Sequence, residues 1–244
     1  MTASSKESTP VAIVTGGNSG IGKAIVKKLA ARGFTVVVAG RREEKNERVV
    51  AEVEKAGKGR AAPRRVDVSR ESDCLDLISE TAEEHGRIDL LVNNAGIGGG
   101  GAILDTTTED FDRVLKTNLY SAYWCSREAF RRMKEQKTRD DSCLRGCIVN
   151  MASVCGIDAW AGTAMYAASK HGMIGLTRAL ADEGAEAGIR VAAICPAMVA
   201  TPMTGVSGPD YIAPEDIART VTHLLDLSPA AWPRELVVPR RGAD

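Results

Sequence analysis

Val11-Ala-Ile-Val-Thr-Gly-Gly-Asn-Ser-Gly-Ile-Gly22 is the stretch whose reading decides the fold. A short apolar run enters a cluster of glycines, and Ile21, Ile25 and Leu29 then recur at helical spacing. A strand that passes through glycines straight into a helix opens an α/β unit with a phosphate-binding turn. Glycine turns sharply and, having no Cβ, lets a pyrophosphate approach the main chain. A helix starting near Gly20 offers N–H groups and partial positive charge to such an anion. A tight strand–helix turn without a ligand is the plain alternative.

Outward from this turn, short apolar runs alternate with helix-length amphipathic stretches. The runs at 11–14, 35–39, 88–92, 148–151 and 189–194 are continuous, as expected of parallel strands covered on both faces. Weaker strands are expected at 65–68 and 236–238. Leu75, Ile78 and Ala82 mark one helix, and another opens at Phe111 and continues through Asn118 to Lys134. Further helices are expected at 165–186 and at 214–225, where Pro214 suits a first turn. Residues 137–145 and 201–211 read as loops. Strand–helix alternation without a linker or repeat predicts one α/β domain over 1–244, with 1–10 a polar tail.

The balance of the chain narrows the function classes. Lys+Arg and Asp+Glu each number 32, so no overall charge draws the chain to nucleic acid or an anionic membrane. No apolar run approaches the roughly 20 residues of a membrane helix. The N-terminal ten residues lack the apolar core of a secretion signal. Cys74, Cys125, Cys147 and Cys195 lie in apolar or periodic segments, as small hydrophobes do. Cys143 and Cys147 have no second Cys/His pair beside them, so no metal site is expected. A reducing cytoplasm is the simplest setting.

The spacing Gly16-x-x-x-Gly20-x-Gly22 is one of four markers occurring in order. Asn93-Asn94-Ala95-Gly96 follows the 88–92 strand, Ser153 follows the 148–151 strand, and Tyr166-Ala-Ala-Ser-Lys170 opens the next helix. Together they resemble the classical short-chain dehydrogenase/reductase family. The resemblance implies a doubly wound, Rossmann-type sheet with helices on both faces. It also implies hydride exchange between a nicotinamide cofactor and a small-molecule carbonyl or secondary alcohol, on the pro-S face, in a homodimer or homotetramer. The glycine loop, with Asn18, Ser19 and Ile21 between and beside its glycines, would hold the pyrophosphate. Asp67 and Val68 would border the adenine, and Asn94, Ala95 and Gly96 the adenosine ribose. Pro196-Ala197-Met198-Val199-Ala200-Thr201 resembles the segment that closes over the nicotinamide, with Val199 and Thr201 bonding its carboxamide. The family usually has Pro-Gly where this chain has Pro196-Ala197, a departure that touches substrate fit.

Cofactor choice is read at the end of the 35–39 strand. An NAD site places an acid there, roughly 20 residues past the glycine loop, for the ribose 2′-OH. This chain has Gly40, followed by Arg41 and Arg42. A guanidinium suits a 2′-phosphate by charge and fork geometry, which favours NADP(H) with Arg41 the principal contact. A solvated pair of arginines at a helix start is the alternative. Many NADP-type members carry a basic residue before the second loop glycine, where this chain has Ser19.

Tyr166 and Lys170, four residues apart, share one helix face. A free tyrosine, with a pKa of about 10, is a poor base near neutrality. An adjacent ammonium, joined by an oxidised nicotinamide ring, is expected to lower it. By resemblance Tyr166 is the acid/base and Lys170 also bonds the nicotinamide ribose. Ser153 can stabilise charge on a substrate oxygen, or merely begin a turn. Asn118 matches the family's fourth catalytic position, which holds a water that relays protons through the lysine. Trp160 and Met165 are candidates for a pocket wall or for core packing. Competing readings are a dinucleotide-binding regulator with little catalysis, an epimerase and an imine reductase.

Overall fold

The computed structural model describes residues 9–57, 59–139 and 144–242. Cys143, most of the 1–10 tail and part of the 137–145 loop lie outside the described residues. Strands and helices alternate as β1 (Val11–Thr15), α1 (Gly20–Ala31), β2 (Thr35–Gly40), α2 (Glu43–Lys55), β3 (Arg60–Arg65), α3 (Glu71–His85) and β4 (Leu90–Asn93). They continue as α4 (Thr108–Leu115), α5 (Ser121–Glu135), β5 (Gly146–Met151), α6 (Ala164–Ala187), β6 (Ile189–Pro196), α7 (Pro214–Asp226) and β7 (Glu235–Val238). The strands form one parallel sheet in the order β3-β2-β1-β4-β5-β6-β7. Strand order reverses between β1 and β4, and such a switch point opens a crevice at the carboxyl ends of the strands.

Neighbouring residues of one strand feed two different cores. Ala12 and Val14 pack with Ile25, Leu29, Val49, Val53, Ile217 and Val221 of α1, α2 and α7. Ile13 packs on the opposite face with Leu77, Ile78, Cys125, Ala129 and Met133 of α3 and α5. Both faces are dry, so both must be apolar, and the strand reads as an unbroken run. Cys74, Cys125, Cys147, Cys155 and Cys195 are free thiols, all buried. Among the described residues no helix is long and apolar enough to cross a membrane, and no cluster of three or more His, Cys, Asp or Glu could hold a metal ion.

Two local expectations give way. The 65–68 run is not a strand: β3 lies earlier and pairs Arg60–Arg65 with Thr35–Gly40. Pro63 is tolerated there because an edge strand leaves one side of its ladder unpaired. Beyond β2's last residue only the Val66 N–H reaches back, to the Gly40 carbonyl at 3.3 Å. Val66 and Val68 are apolar because they turn into the α3-side core, not because they extend the sheet. The helix expected from Phe111 to Lys134 is interrupted by a π-helical turn, Lys116–Tyr120, between α4 and α5. Helix α2 was not marked by hydrophobic periodicity, since Val49 and Val53 are its only buried apolar residues.

Candidate active site

The glycine loop leaves β1 at the switch point. Gly16 and Gly20 adopt φ of +65° and +49°, a region that L-residues with a Cβ rarely enter. Gly22 is required for space, because a Cβ there would stand 2.3 Å from the Gly16 carbonyl oxygen. Ser19 begins α1 without a side-chain capping hydrogen bond, and the first turn carries no acid. The helix therefore presents its N-terminal amides and positive dipole end toward the loop. Glycines without room for a Cβ and an uncapped helix start fit the pyrophosphate of a dinucleotide.

Thr15 and Asn94 lock this loop to the end of β4. The Asn94 and Ala95 N–H groups both donate to Thr15 Oγ1 at 3.0 Å, and Asn94 Nδ2 donates to the Thr15 carbonyl at 2.9 Å. Below them, Asn93 Nδ2 donates to Ser126 Oγ and to Asn150 Oδ1, and Asn150 Nδ2 donates to Thr177 Oγ1 at 2.8 Å. These buried bonds tie β4 and β5 to α5 and α6 just beneath the cleft.

Asn118 sits in the π-helical turn and is fully buried. Its Oδ1 accepts the Ile97 N–H at 2.8 Å, while Nδ2 donates to the Ile97 carbonyl at 3.0 Å and to Ser169 Oγ at 3.1 Å. Ser169 Oγ donates in turn to the Tyr166 carbonyl at 2.7 Å. Asn118 thus pins the chain after Gly96 to the first turns of α6. A π turn inserts one residue into a helix and commonly marks a functional position.

Tyr166 and Lys170 rise from α6 on one face. Lys170 is buried, donates from Nζ to the Met151 carbonyl at 2.7 Å, and lies 5.5 Å from the centre of the Tyr166 ring. Burial lowers Lys170 to about 8, against the opposing pull of Cys195 and Cys155. Burial raises the Tyr166 phenol to about 12, although a hydrogen bond with Ser153 pulls the other way. In the protein without a nicotinamide the phenol is raised, not lowered, because desolvation dominates it. Ser153 is buried and accepts the Cys155 N–H on Oγ at 3.2 Å, which leaves its own proton to be directed elsewhere.

A cleft of about 170 Å³ gathers these groups. Gly16, Ser19, Gly20 and Ile21 of the glycine loop line it together with Asn94, Ala95 and Gly96 and with Ser153, Tyr166 and Lys170. Pro196, Val199 and Thr201 complete the lining. Thr204, which the sequence did not mark, braces that segment by donating to the Val199 carbonyl at 2.7 Å. Met151, Ala152, Ala197, Pro202 and Met203 also line the cleft; Met151 contributes its carbonyl to Lys170, a main-chain role no side-chain pattern announces.

Arg41 does not line the cleft; it borders a second depression with Ser69, Glu109, Asp112, Arg113 and Lys116. Arg42 is exposed, and Asn18, Gly22, Asp67, Val68 and Asn118 do not line the cleft. Asp67 Oδ1 accepts from the Ser69 N–H and hydroxyl at 3.1 and 2.8 Å. Met165 is buried and Trp160 exposed, and neither lines the cleft. The three histidines are far apart in the sequence, and His171 and His223 are exposed.

Residues 10–211 match the family description of the short chain dehydrogenases. The chain belongs to that family. This dehydrogenase-family chain is 39% identical over 201 residues to a 3beta-hydroxysteroid dehydrogenase of Mediterraneibacter gnavus, covering 82% of its own length and 70% of the relative's. It is 34% identical over 226 residues to a meso-2,3-butanediol dehydrogenase of Serratia marcescens, covering 93% and 83%. Its fold superposes on the actinorhodin polyketide ketoreductase solved with NADPH, with a TM-score of 0.86, 33% identity and 96% of each chain covered. These relatives are oxidoreductases acting on hydroxyl and keto groups.

Proposed function

We propose that the protein is an NADP(H)-dependent oxidoreductase that interconverts a small carbonyl compound and its secondary alcohol. The observation that carries this reading is the convergence of Ser153, Tyr166 and Lys170 on one cleft whose far end is the glycine cradle. A nicotinamide dinucleotide, when bound, supplies the hydride. The loop amides and the start of α1 hold its pyrophosphate, and Arg41 faces the 2′-phosphate. Ser153 orients the substrate oxygen and Tyr166 exchanges the proton with it. A phenol held near 12 is protonated at neutral pH, the form that donates to a carbonyl oxygen. Lys170 holds the ribose and, as a cation, stabilises the phenolate left when Tyr166 gives up its proton.

The test is cofactor absorbance with purified protein and a panel of ketones, aldehydes and quinones, run with NADPH and NADH in parallel. Consumption of NADPH well ahead of NADH is expected, and Tyr166→Phe nearly abolishes it while dinucleotide binding persists. Near-normal turnover by Tyr166→Phe refutes the assigned chemistry. Preferential use of NADH keeps the oxidoreductase and discards the role of Arg41. Tight NADPH binding with no turnover on any carbonyl favours the regulator.

A further inference from the structure

Asn46 lies in α2, outside the cleft, and is fully buried. Its Nδ2 donates to the Gly40 carbonyl at 2.9 Å and to the Arg64 carbonyl at 3.0 Å, and its Oδ1 accepts from Asn18 Nδ2 at 2.6 Å. One amide thus joins the ends of β2 and β3 to the middle of the glycine loop. Asparagine is a poor helix former, and a buried amide is costly unless bonded, so packing alone would favour an apolar residue here.

Gly40 completes the arrangement. A Cβ at that position would stand 2.4 Å from Asn18 Nδ2 and 2.9 Å from Asn46 Oδ1. The Asn18–Asn46 pair therefore fills the volume in which any side chain at position 40 would begin. Asn18 alone could swing aside, but its bond to Asn46 holds it there.

We propose that Asn46 is a positioning residue for dinucleotide binding. Through Asn18 it fixes the phosphate loop against the end of β2, and it keeps position 40 closed to a side chain, so that Arg41 meets the ribose with no carboxylate beside it. This rests on the reading of the cleft as a dinucleotide site. A loop fixed before binding loses less freedom when the cofactor arrives, so the device acts on affinity and not on the chemical step.

The experiment titrates wild type, Asn46→Ala, Asn18→Ala, Gly40→Ala, Gly40→Asp and the double variants Asn46→Ala/Gly40→Ala and Asn46→Ala/Gly40→Asp with NADPH and NADH, following nicotinamide fluorescence. Turnover is measured alongside at saturating cofactor. Asn46→Ala and Asn18→Ala should each weaken NADPH binding about tenfold, the size of one lost hydrogen bond, and Asn46→Ala should raise KM with kcat within about twofold. Gly40→Ala should weaken binding too, yet cost nothing further once Asn46 is gone. Gly40→Asp should gain no NADH affinity until Asn46→Ala is added. Asn18→Ala and Gly40→Ala leave the α2 core intact, so they decide the matter even if Asn46→Ala does not fold. Wild-type NADPH affinity in those two variants overturns the proposal, as does strict additivity in the double variant or NADH gained by Gly40→Asp alone. Wild type that binds neither dinucleotide refutes the functional reading itself and takes this inference with it.

Discussion

Replacing Lys170 with methionine removes a charge that the fold holds almost wholly out of water. The lysine falls from 10.5 to about 8 because burial disfavours the ammonium. Its native pKa lies below the unfolded one, so the unfolded chain binds more protons between those two values. Stability contributed by this group therefore climbs as pH rises through that window. At pH 7 the charged form costs the fold about 3 kcal/mol, of which about 2 to 3 kcal/mol is recovered by pH 10. Tyr166, raised to about 12, acts in the opposite sense above pH 10, so the comparison stays below that point. The assay is urea unfolding of wild type and Lys170→Met at pH 7, 8, 9 and 10, without cofactor. Methionine also leaves the Met151 carbonyl without its donor, which shifts the whole difference by a constant. The pH dependence of the difference isolates the charge, because groups common to both proteins cancel. Wild type should gain on the variant by about 2 to 3 kcal/mol from pH 7 to 10. A flat difference, or a gain by the variant, refutes the claim that Lys170 is stored as a destabilised cation.

Arg41→Ala should raise the KM for NADPH about 10- to 100-fold, through the loss of a charge-assisted contact, and leave that for NADH unchanged; equal effects on the two cofactors place Arg41 elsewhere. Gly22→Ala forces its new methyl against the Gly16 carbonyl, so the loop must open. Thermal melting should report a loss of about 1–3 kcal/mol together with loss of dinucleotide binding, and a variant that binds normally contradicts the cradle. Glu128 is pushed up by burial, but hydrogen bonds from Arg131, Arg132 and Ser79 outweigh this and hold it at about 2. Its contribution is present above pH 4.5 and lost as pH falls toward 2; acid unfolding of Glu128→Gln should lack that part of the slope seen in wild type.

The sheet was legible because parallel strands buried on both faces declare themselves as unbroken apolar runs. An edge strand does not, and β3, with Pro63 and its arginines half in solvent, lies earlier than the 65–68 run suggests. The site was legible where a residue type is demanded by the chemistry: glycine against a phosphate, tyrosine and lysine one helical turn apart. Thr15, Met151 and Asn46 escaped notice because their contributions pass through main-chain partners on distant segments, and nothing in local spacing records such partners. The raised phenol of Tyr166 was hidden for a related reason. Sequence places a lysine beside it but does not show how far the fold withdraws the phenol from water.

The π-helical turn at Lys116–Tyr120 also makes the chain intolerant of a change in length there. Each helical residue advances the helix by about 100°. Deleting one residue from the turn would regularise the helix and swing α5 by that angle, carrying Cys125, Ala129 and Met133 away from the core they now fill. Restoring the core face would instead rotate Asn118 off Ile97 and Ser169. The segment can satisfy both only with its present count of residues, so insertions and deletions are excluded from it.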